Sequence, residues 1–518
     1  MLLTILLYAL PVLTISYLIT TYLSFRSIPG PFLAKFTNLH RFISVYRRSP
    51  HITQLRLHQT YGPFVRLGPN AMSVYGGEYT SQIYGIVKSK NFIKSDFYAV
   101  FQNIVNGRRA ASLVAMTDES DHARTKRAIA HAYSLSTLVE FEPLVDSTIN
   151  VLLKELGEKF ANWEDVCDLG QYLQWFAFDV IGELTFSKRL GFLEQGEDID
   201  GIISAIGSNF AYFSVLGQMP WLDNYLGKNP IYVRYFRKSV SSPILVFAQK
   251  LLDERLSQVD SATTSEKSEA IPKPDFLSRF LSARNDVEDA SLMSDGKLLS
   301  YLFMNINAGS DTIASTVRAI FYYLLTNQPS LSKLITELQS ASDSSHLTLP
   351  CPTWTETQSL PYLCAVIKEG LRLNPALSLP LERVVPLEGV TLQPSPDDSS
   401  VKPLHLPGGT IVGINPWVQH RHPAIFGSEP ESWNPDRWLT AQEKETKSME
   451  HALLAFGAGK RSCLGKNIAM LELHKVVPAL LMRFKIELVD GGKGWTVRNN
   501  WALDQKGLNV RIEERVGS

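Results

Sequence analysis

The amino-acid sequence predicts a mainly α-helical protein with a few small β-sheets. Long stretches place apolar residues three and four positions apart, as helices do, whereas runs with strand-like alternation are short and few. The chain has 518 residues, of which 45% are hydrophobic and 20% are charged, a composition typical of a folded protein. Basic and acidic residues balance at 51 each, so the positive charge of most nucleic-acid-binding proteins is absent. We expect a protein that acts on a small molecule and does not bind nucleic acid.

Residues 1–25 contain no charged side chain and are mostly apolar. A helix of about 20 such residues spans the ~30 Å hydrocarbon layer of a membrane, so we predict an N-terminal membrane anchor. A signal peptide is the alternative, but the basic segment that begins one is absent. Residues 26–50 are predicted to form a proline-containing hinge and a basic linker, with no acidic residue before Glu78. Positive charge next to a membrane helix favours a cytoplasmic body, which we place at residues 51–518.

The remaining elements follow from the periodicity of apolar residues and from residues that end helices. Helices are predicted at residues 51–61, 119–132, 137–160, 170–187, 229–256, 297–327, 359–373 and 464–483. A hairpin is predicted at residues 64–67 and 71–75, with further strands at 384–391 and 410–414. The polar segments between these elements are too short to separate independent domains.

The most informative segment lies near the carboxyl end. It reads Phe456-Gly457-Ala458-Gly459-Lys460-Arg461-Ser462-Cys463-Leu464-Gly465 and leads directly into an amphipathic run. A cysteine just before a helix receives the positive end of the helix dipole and free backbone N–H groups, which stabilise a thiolate. Glycines allow the loop to turn tightly around the sulfur. The alternative is a buried inert thiol, which is the usual state of a lone cysteine and the one we expect for Cys167 and Cys364.

This segment resembles the haem-binding loop of the cytochrome P-450 haem-thiolate monooxygenases, Phe-x-x-Gly-x-Arg-x-Cys-x-Gly, at every defined position. The resemblance implies the cytochrome P-450 fold, mainly α with small β-sheets, preceded by one N-terminal transmembrane helix. It also implies haem b as the cofactor, Cys463 as the thiolate ligand of its iron, and haem contacts from Phe456, Arg461 and Gly465. Residues 463–470 are similar to fungal microsomal members of the pisatin-demethylase type, which act in secondary metabolism.

Two further motifs of that family occur upstream and in family order. Glu369 and Arg372 lie three residues apart on a predicted helix, and Arg437 follows in a Pro-x-Arg segment. The resemblance implies that these three side chains form a structural triad.

The segment Ala308-Gly309-Ser310-Asp311-Thr312 interrupts an otherwise apolar helical stretch with polar residues. Thr312 can bond the carbonyl of Ala308, four residues back, which perturbs the helix. The segment resembles the oxygen-activation motif of the family, which implies that Thr312 orients oxygen and water and that Asp311 supports proton delivery. An ordinary glycine-kinked core helix is the alternative.

Haem propionates are carboxylates and need cations or hydrogen-bond donors. By position in the family, the resemblance implies that His122, Lys126, Arg383 and Arg461 contact the cofactor. Family members usually carry arginine at the second of these positions, whereas this chain has Lys126 with Arg127 beside it. Both residues stay open as the propionate contact.

The resemblance implies a monooxygenase that oxidises a small apolar molecule in natural-product biosynthesis or detoxification, at the endoplasmic reticulum membrane. Electrons are expected from an NADPH-cytochrome P-450 reductase or a cytochrome b-type donor, on a candidate basic face of Arg124, Lys126, Arg127, Lys460 and Lys466. Candidate substrate-facing positions are residues 97–103, 210–213, Asn305, residues 376–380 and Trp501.

Two other functions are compatible with the same motifs. Haem-thiolate chemistry can also be diverted into an isomerase, dehydratase or ring-forming oxidase reaction. A non-catalytic haem-binding protein is the second alternative. Asp311 and Thr312 argue against that alternative, because a carrier needs neither residue.

Overall fold

The computed structural model describes residues 2–85, 92–105, 108–235, 243–264, 275–284, 289–395 and 401–515. Within these ranges the chain is mainly helical with small sheets, as the sequence predicts. The helices are α1 Leu2–Ser24, α2 Leu39–Tyr46, α3 Pro50–Tyr61, α4 Gly77–Tyr84, α5 Glu119–Ile129, α6 Leu135–Glu140, α7 Glu142–Phe160, α8 Leu169–Phe186, α9 Phe192–Gln195, α10 Ile202–Leu216, α11 Pro230–Tyr235, α12 Pro243–Thr264, α13 Phe276–Ala283, α14 Asp295–Gly309, α15 Asp311–Thr326, α16 Gln328–Asp343, α17 Trp354–Gln358, α18 Pro361–Leu373, α19 Pro416–Gln419, α20 Pro423–Phe426, α21 Arg437–Thr440, α22 Glu443–Ala452 and α23 Lys466–Arg483.

The strands are short and form several small sheets. They are β1 Phe64–Gly68, β2 Ala71–Val74, β3 Ile93–Lys94, β4 Asn103–Val105, β5 Arg108–Ala110, β6 Cys167–Asp168, β7 Arg383–Val384, β8 Val390–Leu392, β9 Leu404–Leu406, β10 Ile411–Ile414, β11 Phe484–Leu488, β12 Thr496–Asn500, β13 Ala502–Lys506 and β14 Asn509–Glu514. The largest sheet has the order β1-β2-β10-β7-β3, and β11-β14-β6 form a second. The predicted hairpin is confirmed, with Phe64 opposite Val74.

Helix α8 lies at the centre of the helical core. It packs on α7, α14 and α15, and nearly all of its side chains are buried. Its residues are apolar on every side rather than along one stripe, which is the pattern of a helix surrounded by protein. Helices α18 and α23 pack on α15 from another direction. This arrangement brings the start of α23, where the cysteine loop ends, close to α15.

Several predicted boundaries are wrong for identifiable reasons. The helix predicted at 137–160 is divided at Phe141 into α6 and α7, because Pro143 is accommodated only in the first turn of a helix. The strand predicted at 384–391 is two strands, β7 and β8, and Pro386 between them has no N–H for a ladder. The helix predicted at 229–256 is α11 and α12, and its residues 236–242 lie outside the described residues.

The sequence analysis did not predict α10, α16 or the strands after α23. Helix α10 is apolar over most of its length, so its periodicity is weak. Strands β11 to β14 are five or six residues long and carry many charged and polar residues. Strand β14 also pairs with a partner distant in sequence, with Cys167 of β6 opposite Val510.

The carboxyl end of α1 packs on the body. Phe25 is buried, and the guanidinium of Arg66 lies 5.3 Å from its ring and donates a hydrogen bond to Thr21 O. Helix α2 packs on β1, so the linker follows the surface of the body. In the described part of the chain, the segment 199–216 is long and apolar enough to cross a membrane, and Val12–Ser24 is a shorter apolar stretch. Both are weak indications of membrane contact.

His58 makes the stability of the fold depend on pH. Its Nδ1–H donates to Gly62 O at 2.9 Å, and its Nε2 accepts from Ser73 Oγ at 2.8 Å, so the ring is held neutral. Burial lowers the pKa of His58 to about 4. The pKa of an unfolded histidine is about 6.5, so between pH 6.5 and pH 4 only the unfolded chain binds this proton. The contribution of the neutral His58 ring to stability is therefore complete above pH 6.5 and is lost as the pH falls towards 4.

We predict that the full-length wild type loses about 2 kcal/mol more stability than His58→Phe between pH 6.5 and pH 5. Urea unfolding at the two pH values measures both losses. His58→Phe leaves the Ser73 hydroxyl unpaired and is less stable at both pH values, so only the difference within each protein counts. Equal losses would show that His58 titrates normally in the folded protein.

Candidate active site

The cysteine loop, residues 456–465, ends where α23 begins. Cys463 lies just before Lys466, the first helical residue, and its backbone N–H donates to Phe456 O at 2.8 Å. Gly459 has a φ of +64°, and a Cβ at this position would lie 1.7 Å from Tyr84 O. Glycine is therefore required here both by the backbone angle and by the close approach of Tyr84.

The thiol of Cys463 lines a recess. The residue is accessible to solvent, yet protein atoms surround the thiol so closely that burial raises its pKa. A residue that is both accessible and densely surrounded faces a concave space rather than the outer surface. The N–H of Gly465 and the charges of Lys126 and Lys466 oppose this rise in pKa, because each favours the thiolate.

The cysteine loop also contacts α15, because its Phe456 packs against this helix. Its ring lies in one apolar cluster with Ile313 and Ala314 of α15 and Ala469 of α23. The predicted oxygen-activation segment lies directly before Ile313. The two motifs, which are far apart in sequence, are therefore neighbours in the fold.

The helix predicted at 297–327 is interrupted at Ser310, where α14 gives way to α15. Thr312 Oγ1 donates to Ala308 O at 2.9 Å, which confirms the predicted hydrogen bond. Ser310 Oγ also donates to a carbonyl one turn back, at 2.8 Å. Hydroxyl groups that bond carbonyls four residues earlier bend a helix. The interruption thus has a local cause in the Ser and Thr side chains.

Asp311 is held by side chains from α8 and α15. Gln174 Nε2 donates to Asp311 Oδ1 at 2.8 Å, and Arg318 Nη2 donates to Gln174 Oε1 at 2.9 Å. Burial raises the pKa of Asp311, while the hydrogen bond from Gln174 and the charge of Arg318 lower it, and burial outweighs both. A carboxyl whose pKa is raised takes up a proton more readily than an exposed one.

A cluster of cationic groups surrounds the buried side chain of His122. Burial is the main reason that the pKa of His122 is lowered to about 3, and the neighbouring positive charges lower the pKa further. The surrounding cations are Arg461, Lys94, Lys126 and Arg383. Glu119 balances one of them, with its Oε1 2.7 Å from Arg461 Nη2. Like charges gathered in this way suit an anionic ligand, so the donor set fits the two propionate groups of a haem.

Lys126 and Arg127 occupy different environments. Lys126 Nζ donates to Lys460 O at 3.1 Å and to Ser462 O at 3.3 Å, so it reaches the cysteine loop. Arg127 is exposed to solvent. The geometry favours Lys126 over Arg127 as the residue near a cofactor.

The carboxylate of Glu369 lies in contact with both arginines of the predicted triad. Arg372 donates from Nε at 2.8 Å and from Nη2 at 2.7 Å, and Arg437 Nε donates at 3.1 Å. Trp438 Nε1 and Asn434 N complete the set at 2.9 and 3.0 Å. Burial would raise the pKa of Glu369, but the arginines outweigh it and the pKa lies below its usual value.

His420 connects this cluster to the cysteine loop. Its Nδ1 donates to Arg372 O at 2.9 Å, and its Nε2 accepts from Leu454 N at 2.7 Å. Leu454 O in turn accepts from Gly457 N of the loop at 2.9 Å. Burial lowers the pKa of His420 to about 3, which keeps the ring neutral and suited to this pair of hydrogen bonds.

Aromatic side chains from three candidate substrate-facing segments meet in one cluster. The ring of Phe101 lies 4.9 Å from that of Phe213 and 4.5 Å from that of Trp501. Phe210 lies 5.5 Å from Trp501, and Phe97 lies 5.4 Å from Phe101. These five residues are called the aromatic cluster below.

Trp501 occupies the tip of the β12–β13 hairpin with a φ of +77°, which is rare for a large side chain. Its N–H donates to Asn499 Oδ1 at 3.0 Å, and its carbonyl accepts from Ser378 N at 3.3 Å. Ser378 belongs to the fourth candidate segment, residues 376–380. Asn305 has a different position, because its buried carboxamide accepts a hydrogen bond from Tyr133.

Sequence reasoning missed Lys94, Gln174 and His420. Each belongs to a segment without a recognisable motif, and each acts through a partner that the fold brings from elsewhere in the chain. Trp438 was also missed, although its position directly after Arg437 was a usable signal.

Comparison with known proteins is consistent with this geometry. A family model described as Cytochrome P450 matches residues 28–511. A cytochrome P450 monooxygenase of Aspergillus terreus is 43% identical over 479 residues, which are 92% of this chain and 94% of that protein. Cytochrome P450 monooxygenase cicH of Emericella nidulans is 38% identical over 502 residues, which are 97% and 96% of the two chains. Cytochrome P450 monooxygenase mpaDE of Penicillium roqueforti is 39% identical over 501 residues, and the chain spans 56% of its length.

We predict that Glu369→Ala lowers the free energy of unfolding by about 3–5 kcal/mol, because it leaves the buried Arg372 and the largely buried Arg437 without their counter-charge. Denaturant unfolding measures this loss. The exposed pair Lys447–Glu443 provides the control, and Lys447→Ala should change stability by less than about 1 kcal/mol. A loss in Glu369→Ala no larger than in the control would contradict a structural role for the cluster.

Proposed function

Because the chain belongs to the cytochrome P450 family and is a monooxygenase, we propose that it hydroxylates or otherwise oxidises a small apolar molecule with electrons from an NADPH-dependent reductase. The observation that carries the proposal is the contact between the Cys463 loop and α15, directly beside Thr312. The proposed setting is natural-product biosynthesis or detoxification. The curated relatives that match are fungal monooxygenases, which supports an oxidative reaction.

The family implies a haem-thiolate cofactor. A haem ligated by a thiolate supplies dioxygen activation, since the thiolate donates electron density that favours O–O cleavage. We propose that Cys463 is that ligand, with Phe456 and Gly465 beside it. His122, Lys126, Arg383 and Arg461 would hold the propionates, since the charges of Lys126, Arg383 and Arg461 all act on His122.

Thr312 and Asp311 would control protons and water in the recess. Thr312 directs its own proton to Ala308 O, so its oxygen is free to accept a hydrogen bond from a water molecule. Asp311 has a raised pKa and is linked to Gln174, which suits a group that takes up and releases protons near Thr312. The chain thus offers an ordered acceptor and a proton donor one residue apart.

The aromatic cluster would bind the substrate. Its rings come from the turn at 96–101, from α10 and from the β12–β13 hairpin, and they present an apolar surface. Pockets for weakly polar small molecules are lined mainly by such side chains. The proposed substrate is therefore apolar and small enough to contact these segments at once.

Electrons would come from a separate reductase that binds the face near the cysteine loop. Arg127, Lys460 and Lys466 are exposed there, and Lys460 and Lys466 flank Cys463 closely in sequence. Exposed charges steer an acidic partner and lose that effect as salt screens them. The rate of turnover with reductase should consequently fall as ionic strength rises. A rate that does not change with ionic strength would contradict this docking face.

Diversion of the haem chemistry towards isomerisation, dehydration or ring formation is the alternative reaction. It shares the cysteine loop with the proposed function and differs in its products, which contain no oxygen atom from dioxygen. Labelled dioxygen separates the two, because only a monooxygenase transfers the label to the product.

We propose that α1 anchors the chain in the endoplasmic reticulum membrane with the body in the cytoplasm. Helix α1 carries no charge, and a second group of apolar side chains is exposed on the body. That group comprises Trp221, Tyr225, Leu226, Ile231, Tyr232 and Tyr235. Exposed apolar patches of this kind mark contacts with membranes or proteins.

The function is tested by Thr312→Ala in the full chain with reductase and NADPH. We expect NADPH consumption to continue while the peroxide released per NADPH rises about tenfold, because the ordered acceptor is lost. Thr326→Ala is a matched control, since Thr326 also bonds the carbonyl four residues back in the same helix. An unchanged ratio of peroxide to NADPH in Thr312→Ala would refute the role of Thr312.

Cys463→Ser should lose the thiolate-type carbon monoxide spectrum.

The anchor is tested by extracting membranes with alkaline carbonate. We expect the full chain to remain with the membrane and a chain that begins at residue 26 to be released, because it lacks the apolar helix. An unrelated transmembrane helix fused to residue 26 should restore retention. If the shortened chain is retained as strongly as the full chain, the exposed apolar side chains of the body are the anchor instead.

A further inference from the structure

Arg41 belongs to the predicted linker, yet its side chain is almost completely buried in the body. Its Nε donates to Gln218 Oε1 at 2.7 Å, and its Nη2 forms an ion pair with Glu382. Ser95 Oγ donates to the other oxygen of Glu382 at 2.6 Å. All four residues are at most 6% exposed, and they are called the Arg41 network below.

The Arg41 network joins segments that carry the aromatic cluster. Ser95 Oγ accepts from Phe97 N at 3.3 Å and so begins the turn at 96–101, which contains Phe97 and Phe101. Gln218 Nε2 donates to Ser214 O at 2.8 Å, at the end of the helix that contains Phe210 and Phe213. Glu382 lies two residues after the segment 376–380, and Ser378 of that segment donates its N–H to Trp501 O at the hairpin tip.

Arg41 is the centre of this arrangement because it bonds two partners at once. Its planar guanidinium presents donors in a rigid fork, so Gln218 and Glu382 are held at a set distance from each other. Lys228 makes a second connection of the same kind, since its Nζ pairs with Asp223 Oδ2 at 2.8 Å and donates to Val100 O. The turn at 96–101 is therefore tied to neighbouring segments at both of its ends.

A buried ion pair is a poor source of stability, because removing two charges from water offsets most of their attraction. Its geometry, by contrast, is well defined. This pair also bonds Gln218 and Ser95, which lie next to the helix and the turn that carry four rings of the aromatic cluster. That position points to a role in shape rather than in stability alone.

We propose that Arg41 is a positioning residue of the substrate pocket, so that the segment before the catalytic body sets how tightly apolar molecules bind. The proposal rests on the proposed function, because it assumes a haem in the recess and an apolar ligand against the aromatic cluster. Arg41 does not touch the ligand. It acts by setting the spacing of the turn at 96–101, α10 and the segment 376–382.

Two iron-binding probes separate pocket shape from haem binding. Imidazole ligates haem iron and is too small to need the pocket walls, whereas 4-phenylimidazole adds a ring that must pack against them. We expect Arg41→Met in the haem-loaded full chain to weaken 4-phenylimidazole about tenfold and to change imidazole less than about twofold. The absorbance shift on titration gives both Kd values.

Two further variants keep the test decisive. Gln218→Met unties α10 alone and leaves the ion pair intact, so it should weaken 4-phenylimidazole in the same direction by about threefold. Arg255→Met breaks another largely buried ion pair, between Arg255 of α12 and Asp275, which lies just before α13. This variant should lower stability without changing the ratio of the two Kd values.

The outcomes distinguish the two levels of the proposal. If both probes bind the Arg41→Met and Gln218→Met variants as they bind the wild type, Arg41 does not position the pocket. If both probes weaken equally, the Arg41 network acts on the haem and the inference is also wrong. If the wild type shows no absorbance shift with imidazole, the proposed function fails before Arg41 is tested.

Discussion

The buried carboxylate of Glu369 is the constraint on which the cofactor side of the molecule depends. Five donor atoms from α18, α21 and the segment before α21 converge on its two oxygens. A charge buried in this way is tolerated only when every lone pair has a partner, so each of these elements must be in place. His420 connects the cluster to the chain before the cysteine loop, because it donates a hydrogen bond to Arg372 O and accepts one from Leu454 N. The cysteine loop is thus linked to the Glu369 cluster through His420, Leu454 and Gly457.

The sequence predicted those parts of the site that are local in the chain. The cysteine loop, the Glu369–Arg372 spacing and the bond from Thr312 to Ala308 each lie within ten residues, and their geometry follows from glycine angles and helix periodicity. The stretch 297–327 was predicted as one helix with a perturbation at Thr312, whereas the structure divides it at Ser310, whose hydroxyl also bonds a carbonyl one turn back. Helices were predictable because their hydrogen bonds are local, whereas the pairing of β14 with β6 joins residues more than 300 positions apart, as in Val510 opposite Cys167.

Contacts between segments that are distant in sequence could not be predicted from the sequence. Lys94 joins the cations around His122 from a short strand, and Gln174 reaches Asp311 from α8. Neither lies in a motif, and both residue types are usually found on surfaces. Their importance comes only from burial, which removes the water that would otherwise screen a charge or satisfy an amide. The Arg41 network is the extreme case, because its members are separated by up to 341 positions.

The backbone of Trp501 places two demands on one residue. A φ of +77° costs a bulky residue about 1–3 kcal/mol, whereas glycine adopts it freely. Exchange of Trp501 for glycine would relax the hairpin and remove a ring from the aromatic cluster in a single step. At this position glycine is the residue that fits the backbone angle best, but it has no ring to contribute to the aromatic cluster. Substitution by glycine therefore meets little resistance from folding here, whereas tryptophan keeps both the ring and the strain.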